Sequence, residues 1–336
     1  MELNINVLSD FVKNAEIMWN MGADSIPQFA RKSGLWRERN IPQMSGNTRE
    51  FSEIDLEEYA SRKGESAQAV RARVQQGYSK VATLYRVAKD IGVSYEWRSQ
   101  GKYEDIKDRL VNLGKLAYNR LDLDLTHRIT FGNAVNYTDM DGVLVDTSVG
   151  DTLALFSTVH TLRGSATTFR NILANNPQFS AAALEAMEAM RVANTYNQFG
   201  EKMTIPADVI WCGDDPNTMN NIKVVLKSQA APNQANPSVL NVYETKYRMV
   251  VLPRLATDAF GANDATKAKY WGLASTQMTT AYLGMHEEPH MKAPTGAGTS
   301  AEEFSTDDWN FGTRAGWMIC TVSASWISVS YGDGTP

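Results

Sequence analysis

Three short stretches of this sequence hold side chains that could do chemistry. "DTLALFSTVHTLRG" (Asp151 to Gly164) sets Ser157 three residues before His160, the residue types of a nucleophile and its base. "DMDGVLVD" (Asp139 to Asp146) sets Asp139 and Asp141 two apart beside an apolar run, and paired carboxylates suit phosphoryl transfer. "HEEPH" (His286 to His290) has the HExxH spacing, in which two histidines on one helix face hold zinc and the glutamate acts as base.

Each pattern works only on a particular element. In a helix, Pro289 would lose its own hydrogen bond and clash with the carbonyl of Met285, and Gly284 just ahead also disfavours a helix. "HEEPH" is therefore expected in a strand or turn with two surface histidines. In an extended segment three residues span about 10 Å and their side chains point to opposite faces. Ser157 cannot reach His160 there, and the sharp Gly-flanked elbow that holds nucleophilic serines is missing. "DMDGVLVD" resembles the first motif of the haloacid-dehalogenase-like phosphatases, with Asp139 in the nucleophile's place and Asp141 in that of the acid/base. "CGDDP" resembles that family's last acidic motif, which would give Asp214 and Asp215 to magnesium. Such a nucleophile ends an apolar central strand, whereas "GNAVNYT" precedes this one, and the two motifs are too close for a complete doubly wound sheet between them. Asp-Gly reads as an exposed hairpin turn, and Asp-Asp-Pro as a helix start.

The chain that must position these residues is 336 long with a net charge of −5. That length is large for one compact core, so two lobes are expected. Hydrophobic residues at 43% and charged residues at 21% are ordinary for a folded soluble protein. Cys212 and Cys320 lie far apart and outside any CxxC, which argues against a disulfide framework or a cysteine metal site and fits a reducing cytosol. No apolar run reaches the length of a membrane span, and the N-terminus lacks a signal-peptide pattern. The net acidic charge gives no overall pull toward nucleic acid.

Residues 1–47 carry one helix signal, Ser9 to Trp19, then scattered Pro and Gly, and are expected to bury little by themselves. Residues 47–76 hold six acids, among them Glu57, Glu58 and Glu65, and five bases, Arg49, Arg62, Lys63, Arg71 and Arg73. Ragged alternation at Phe51, Ile54 and Leu56 resumes at Val81, Thr83, Tyr85 and Val87. This predicts a long two-stranded arm with a charged tip near Lys63–Gly64; the alternative is a solvated surface loop. From Tyr103 to His127 the apolar positions step by three and four along one stripe, a helix of roughly 37 Å, with Glu104 and Asp105 suiting its dipole and Gly114 weakening it. Residues 166–280 read as α/β. Phe179, Ser180 and Leu184 start a helix to about Ala193, "DVIWC" is a buried strand, and Asp215 with Pro216 opens a helix through Leu226. "SQAAPNQANP" is a polar loop, "YRMVVLP" and "KYWGLAS" are core strands, and strands return after Ala281. There is no internal repeat.

The segment "DTLALFSTVHTLRGSATTFRNILANNPQFSAAALEAM" resembles the major head subunit of Mu-like phages, within the tailed-phage major capsid family. The resemblance rests on Leu155 to His160, Leu173, and Phe179 to Glu185. It continues through "GEKMTIPADVIWC", "IKVVLKS", "YRMVVLPRL" and "KAKYWGLAS", covering residues 80–275 in order and spacing. It implies the α+β Hong Kong 97-type fold: an N-terminal arm at 1–47, an extended β-hairpin loop at 48–88, a peripheral domain with its spine helix at 89–165, an axial domain at 166–280, and the peripheral domain's return strands and C-terminal tail at 281–336. "QAAPNQANP" would lie near a capsomer's centre.

The function so implied is structural: hexamers and pentamers closing into an icosahedral head around double-stranded DNA, without sequence-specific binding. No catalytic residue, cofactor, metal or membrane is expected. The partners implied are other copies of the chain, portal and scaffolding proteins, with a decoration protein left open. The place is the virion, assembled in the host cytoplasm. The assembly contacts expected are Glu57, Glu58, Arg62, Lys63, Glu65, Arg71 and Arg73. An encapsulin-like compartment would share the fold, and the Asp139/Asp141 phosphatase is the reading from another class. Some members of the family weld subunits by a lysine–asparagine bond, which needs a deprotonated amine and a nearby glutamate. Lys63 is the only lysine from Met44 to Gly77 and sits in polar "SRKGES". The best partners are Asn310 with Glu303, and a non-covalent shell is expected.

Overall fold

The computed structural model describes residues 5–42, 46–228, 240–294 and 307–334. Helix α1 spans Ile5–Asp24, and strand β1 spans Arg37–Asn40. Strands β2 (Thr48–Leu56) and β3 (Val74–Thr83) pair antiparallel, from Thr48 with Thr83 out to Leu56 with Val74. Strand β4, Tyr85–Val93, follows after Leu84. Short α2, Tyr95–Ser99, is capped by the Ser94 hydroxyl, which accepts the Trp97 N–H. Helix α3, Tyr103–Thr130, has 28 residues, roughly 42 Å at 1.5 Å per residue.

Two small hairpins come next, β5 (Asn136–Thr138) with β6 (Leu144–Asp146), and β7 (His160–Thr161) with β8 (Thr168–Phe169). Then follow α4 (Ala181–Ala193), β9 (Val209–Cys212), α5 (Pro216–Lys227), β10 (Arg248–Val251) and β11 (Trp271–Ala274). Strands β12 (Ala281–Lys292) and β13 (Trp309–Thr321) end the regular structure. The loop expected at a capsomer's centre, 229–237, lies outside the described residues.

The main sheet has the order β1-β12-β13-β4, with β1 parallel to β12 and the other pairs antiparallel. Helix α3 lies across it because its apolar stripe is continuous. Ile106, Leu110 and Leu113 meet Val93, Trp309 and Phe311, and Leu121, Leu125 and Ile129 meet Leu283, Ala315 and Trp317. A second sheet, β10-β9-β11, has β9 at its centre. Ile210 and Cys212 of β9 face the α4 and α5 side chains Leu184, Met187, Ile222 and Val225. Val209 and Trp211 point the other way, into the α3 core. All four residues are buried, so β9 joins both halves of the α+β fold. The two helices start where their caps predict. Ser180 Oγ accepts the Ala183 N–H at 3.1 Å, and Asp215 Oδ2 accepts that of Thr218 at 2.8 Å.

Among the described residues of 1–47, α1 and β1 bury more than expected. Ala15, Trp19 and Ala23 of α1 are buried against Ile106, Leu110 and Leu113, and β1 is part of the main sheet. The reason is two glycines. A Cβ on Gly22 would lie 1.9 Å from the Val111 carbonyl oxygen, and one on Gly114 would lie 2.1 Å from that of Trp19. Without side chains there, the two backbones touch. Gly114, expected only to weaken α3, is what lets α1 dock.

Candidate assembly interface

The ribbon β2–β3 carries a 57–73 tip with no regular structure. At its root Phe51 stacks on Tyr282, ring centroids 4.9 Å apart, within a cluster that includes Ala82, Leu84, Met318 and Cys320. Side chains alternate along the strands, so one face turns inward. The other face presents Ile54 (67% exposed), Leu56 (58%), Val74 (63%) and Val81 (56%), and Tyr59 and Val70 of the tip are exposed as well. Aliphatic side chains this exposed are ordinary singly; here four lie in a row on one face of the ribbon.

The seven tip residues divide into two groups. Glu57 and Arg73 close the tip: the two side chains form an ion pair, the Arg73 N–H donates to Glu57 Oε2 at 3.0 Å, and the Glu57 N–H donates to the Arg73 carbonyl at 3.3 Å. Hydrogen bonds from Arg73, backbone and side chain, hold the Glu57 carboxyl below its ordinary value. The Glu58 N–H donates to Glu201 Oε2 at 2.9 Å, and Arg73 lies over the Phe199 ring at 5.2 Å. Glu58 and Arg73 therefore meet the 197–202 turn of their own chain, and Glu57 is tied to it through Arg73. Arg62, Lys63, Glu65 and Arg71 are exposed and have no hydrogen bond or ion pair among the described residues.

Sequence reasoning missed the residues on the receiving side. The Arg163 guanidinium donates to the Gly77 carbonyl at 2.9 Å, Tyr78 Oη lies 2.9 Å from Thr161 Oγ1, and Lys80 Nζ pairs with Asp146 at 2.5 Å. Gln198 bonds both Glu53 and Asp55. The one available signal was Gly77 inside an alternating strand, which often marks a close approach.

The three chemical patterns find other roles. Ser157 Oγ accepts the Val159 N–H at 3.1 Å, while buried His160 bonds Asp151 Oδ2 through Nδ1 at 2.8 Å and stacks on Phe169. "HEEPH" lies on β12, where the pairing to β13 slips between Met285 and Glu287 and again before His290. Strand β1 ends its pairing at Met285, so Pro289 sits where no ladder N–H is needed. His290 Nε2 lies 3.5 Å from a Glu287 carboxylate oxygen.

Asp139 corrects an expectation: it opens a turn whose tip, Met140 to Gly142, is exposed, but is itself only 6% exposed. Its Oδ1 accepts the Asp141 and Val143 N–H groups at 3.0 and 2.9 Å, and its Oδ2 meets Arg120 at 2.6 Å. The turn wraps its backbone donors around the carboxylate, which is why the acid turns inward. Asp141 pairs with the same Arg120 at 2.8 Å and is exposed. Both acids border a cleft of about 550 Å³ between α3, β4 and the β5–β6 hairpin. Asp214 is exposed, and Asp215 is the α5 cap. Among the described residues no group of His, Cys, Asp and Glu could hold a metal ion, and no helix is long and apolar enough to cross a membrane.

No protein-family model matches this chain, and no curated protein is similar to it. Solved structures are. The capsid of the cyanophage P-SCSP1u aligns over 88% of this chain and 85% of that chain at 12% identity, with a TM-score of 0.48. The procapsid of bacteriophage JBD30 aligns over 98% and 76% at 10% identity, TM-score 0.48. The virus-like particle from Pyrococcus furiosus aligns over 94% and 97% at 11% identity, TM-score 0.46.

Proposed function

We propose that this chain is a shell subunit of the tailed-phage major capsid family, of the Mu-like kind, with the Hong Kong 97-type fold. The observation that carries the reading is the ribbon. It is rooted in the chain's own core, yet it holds out an exposed row of Ile54, Leu56, Val74 and Val81 and a charged tip with four side chains unpaired among the described residues. A monomer gains nothing from that surface, and identical neighbours would cover it. In this reading 1–47 is the N-terminal arm, 48–88 the extended loop, 89–165 the peripheral domain, 166–280 the axial domain, and 281–336 the return strands and tail.

Copies associate as hexamers and pentamers into an icosahedral head that encloses double-stranded DNA in the virion, after assembly in the host cytoplasm. Portal and scaffolding proteins are further partners, and a decoration protein is left open. Each interface is modest, but a ribbon that grips several neighbours adds by multivalency. A net charge of −5 keeps the wall from sticking to packaged DNA. Deleting Glu57 to Arg73 tests the reading. The shortened protein folds but closes no shells; normal shells from it would overturn the assignment of the ribbon.

A further inference from the structure

The ribbon changes character along its length. Its root is apolar, with Phe51, Ala82 and Leu84 in one cluster. The pairing then slips between Ser52 and Ile54, and a bulge of this kind bends the strand and re-aims its side chains. Beyond the bulge the contacts of β2 with the body are polar. Glu53 Oε2 accepts from Gln198 Nε2 at 3.1 Å, Asp55 Oδ2 accepts the Gln198 N–H at 3.0 Å, and the Tyr59 hydroxyl donates to the Lys202 carbonyl at 3.4 Å. Two carboxylates thus converge on one glutamine, which is 4% exposed, and no cation pairs with either among the described residues. A Cβ on Gly77 would lie 3.0 Å from Glu53 Oε2, so the glycine leaves room for the carboxyl to turn inward.

We propose that Glu53 is a proton-operated latch: protonated, it keeps the distal half of the ribbon against residues 197–202, and ionised, it lets that half swing out about the bulge. The latch goes beyond the shell assignment and does not rest on it. Burial, and then the neighbouring Asp55 charge, outweigh the Gln198 hydrogen bond, which acts the other way, and push the docked Glu53 carboxyl up from 4.5 to about 7. An acid whose value is raised on docking favours the docked state while protonated. The Glu53 contribution to docking is therefore fully present below pH 4.5, is lost as pH rises to about 7, and changes no further above it.

The other charged groups around the latch are few. Asp55 shares its strand, Glu201 and Lys202 lie on the receiving turn, Arg163 reaches the Gly77 carbonyl, and the Glu57–Arg73 pair closes the tip. The Glu58 N–H and Asn197 hold the Glu201 carboxyl below its ordinary value, so its docking contact is lost only in stronger acid. The window read out is thus pH 5 to 7.5.

The test is an intramolecular distance. Spin labels go on Arg62→Cys at the tip and Asn220→Cys on α5, since both native cysteines are buried. Labelled chains are diluted into unlabelled ones so that only distances within one subunit are read, whatever its assembly state. At pH 5 one docked distance should dominate. At pH 7.5 a second, displaced population should grow, the docked-to-free ratio falling by at least tenfold. Glu53→Gln should stay docked at both pH values, and Asp55→Asn should move the midpoint to lower pH. A distribution unchanged between pH 5 and 7.5, or a pH response retained in Glu53→Gln, would overturn the latch. Absence of shells would leave these distances untouched, so the two readings fail separately.

Discussion

Arg120 holds three carboxylates at once: Asp124 at 2.8 Å, Asp139 at 2.6 Å and Asp141 at 2.8 Å. Asp139 has both oxygens engaged, so it is a structural tie rather than a free nucleophile. Removing it takes one of three carboxylates from a half-buried guanidinium and leaves two backbone donors without their acceptor. Asp139→Ala should cost about 2–3 kcal/mol in denaturant unfolding, while Asp141→Asn, at an exposed position, should cost about 0.5 kcal/mol or less. Turnover of a phosphate ester with magnesium, lost in Asp139→Asn, would favour an enzyme instead.

His127, also on α3, gives a pH prediction. It is buried beside the Phe131 and Tyr137 rings with Nε2 2.9 Å from Thr257 Oγ1. Burial pushes it down from 6.5 to about 4, helped by the Lys267 charge. The unfolded chain therefore takes up a proton between pH 6.5 and 4 that the folded one refuses, and stability falls with pH across that window by about 2–3 kcal/mol. Asp124, raised to about 6 by burial, acts in the opposite sense. The difference between the wild-type and His127→Gln unfolding profiles isolates the histidine: the two should converge as pH falls. Parallel profiles would refute its role.

At the scale of elements, what is local was legible. Ser180, Asp215 and Pro216 announce their helices because a cap acts within one turn, and β9 and β11 read as apolar runs because they are buried. The ribbon showed as alternation on both sides of a charged tip. What depends on distant partners was not legible. Gly22 and Gly114 look like helix weakeners until α1 meets α3, and Asp139 looks like a turn residue until Arg120 reaches it from another element. The latch links residues 143 to 145 apart in the chain, a pairing no spacing rule reveals. The helix contact is testable by itself. Gly114→Ala should gain about 1 kcal/mol from helix propensity alone. The clash with the Trp19 carbonyl reverses the sign, and a net loss of about 1–3 kcal/mol is expected, with Trp19 fluorescence shifting as α1 is displaced. A stabilised Gly114→Ala protein would contradict the packing.

At the scale of the whole molecule, the tip bears on both covalent linkage and assembly. Lys63 is exposed at the tip, without an ion-pair or hydrogen-bond partner among the described residues, and a solvated ammonium is a poor nucleophile. Of its best candidate partners, Asn310 lies on β13, and Glu303 falls outside the described residues. Assembled protein boiled in SDS and reductant should run as one band near 37.3 kDa. A ladder of multiples that vanishes in Lys63→Ala would show a crosslink. The central claim is that the exposed row on the ribbon exists to be covered by identical neighbours, and electron microscopy of the purified full-length protein tests it most directly. The account predicts closed shells of regular size built from hexameric and pentameric rings, with the ribbon of each subunit lying on the next. Particles that stay monomeric at high concentration with the ribbon exposed, or shells whose contacts leave Ile54, Leu56, Val74 and Val81 in solvent, would contradict it.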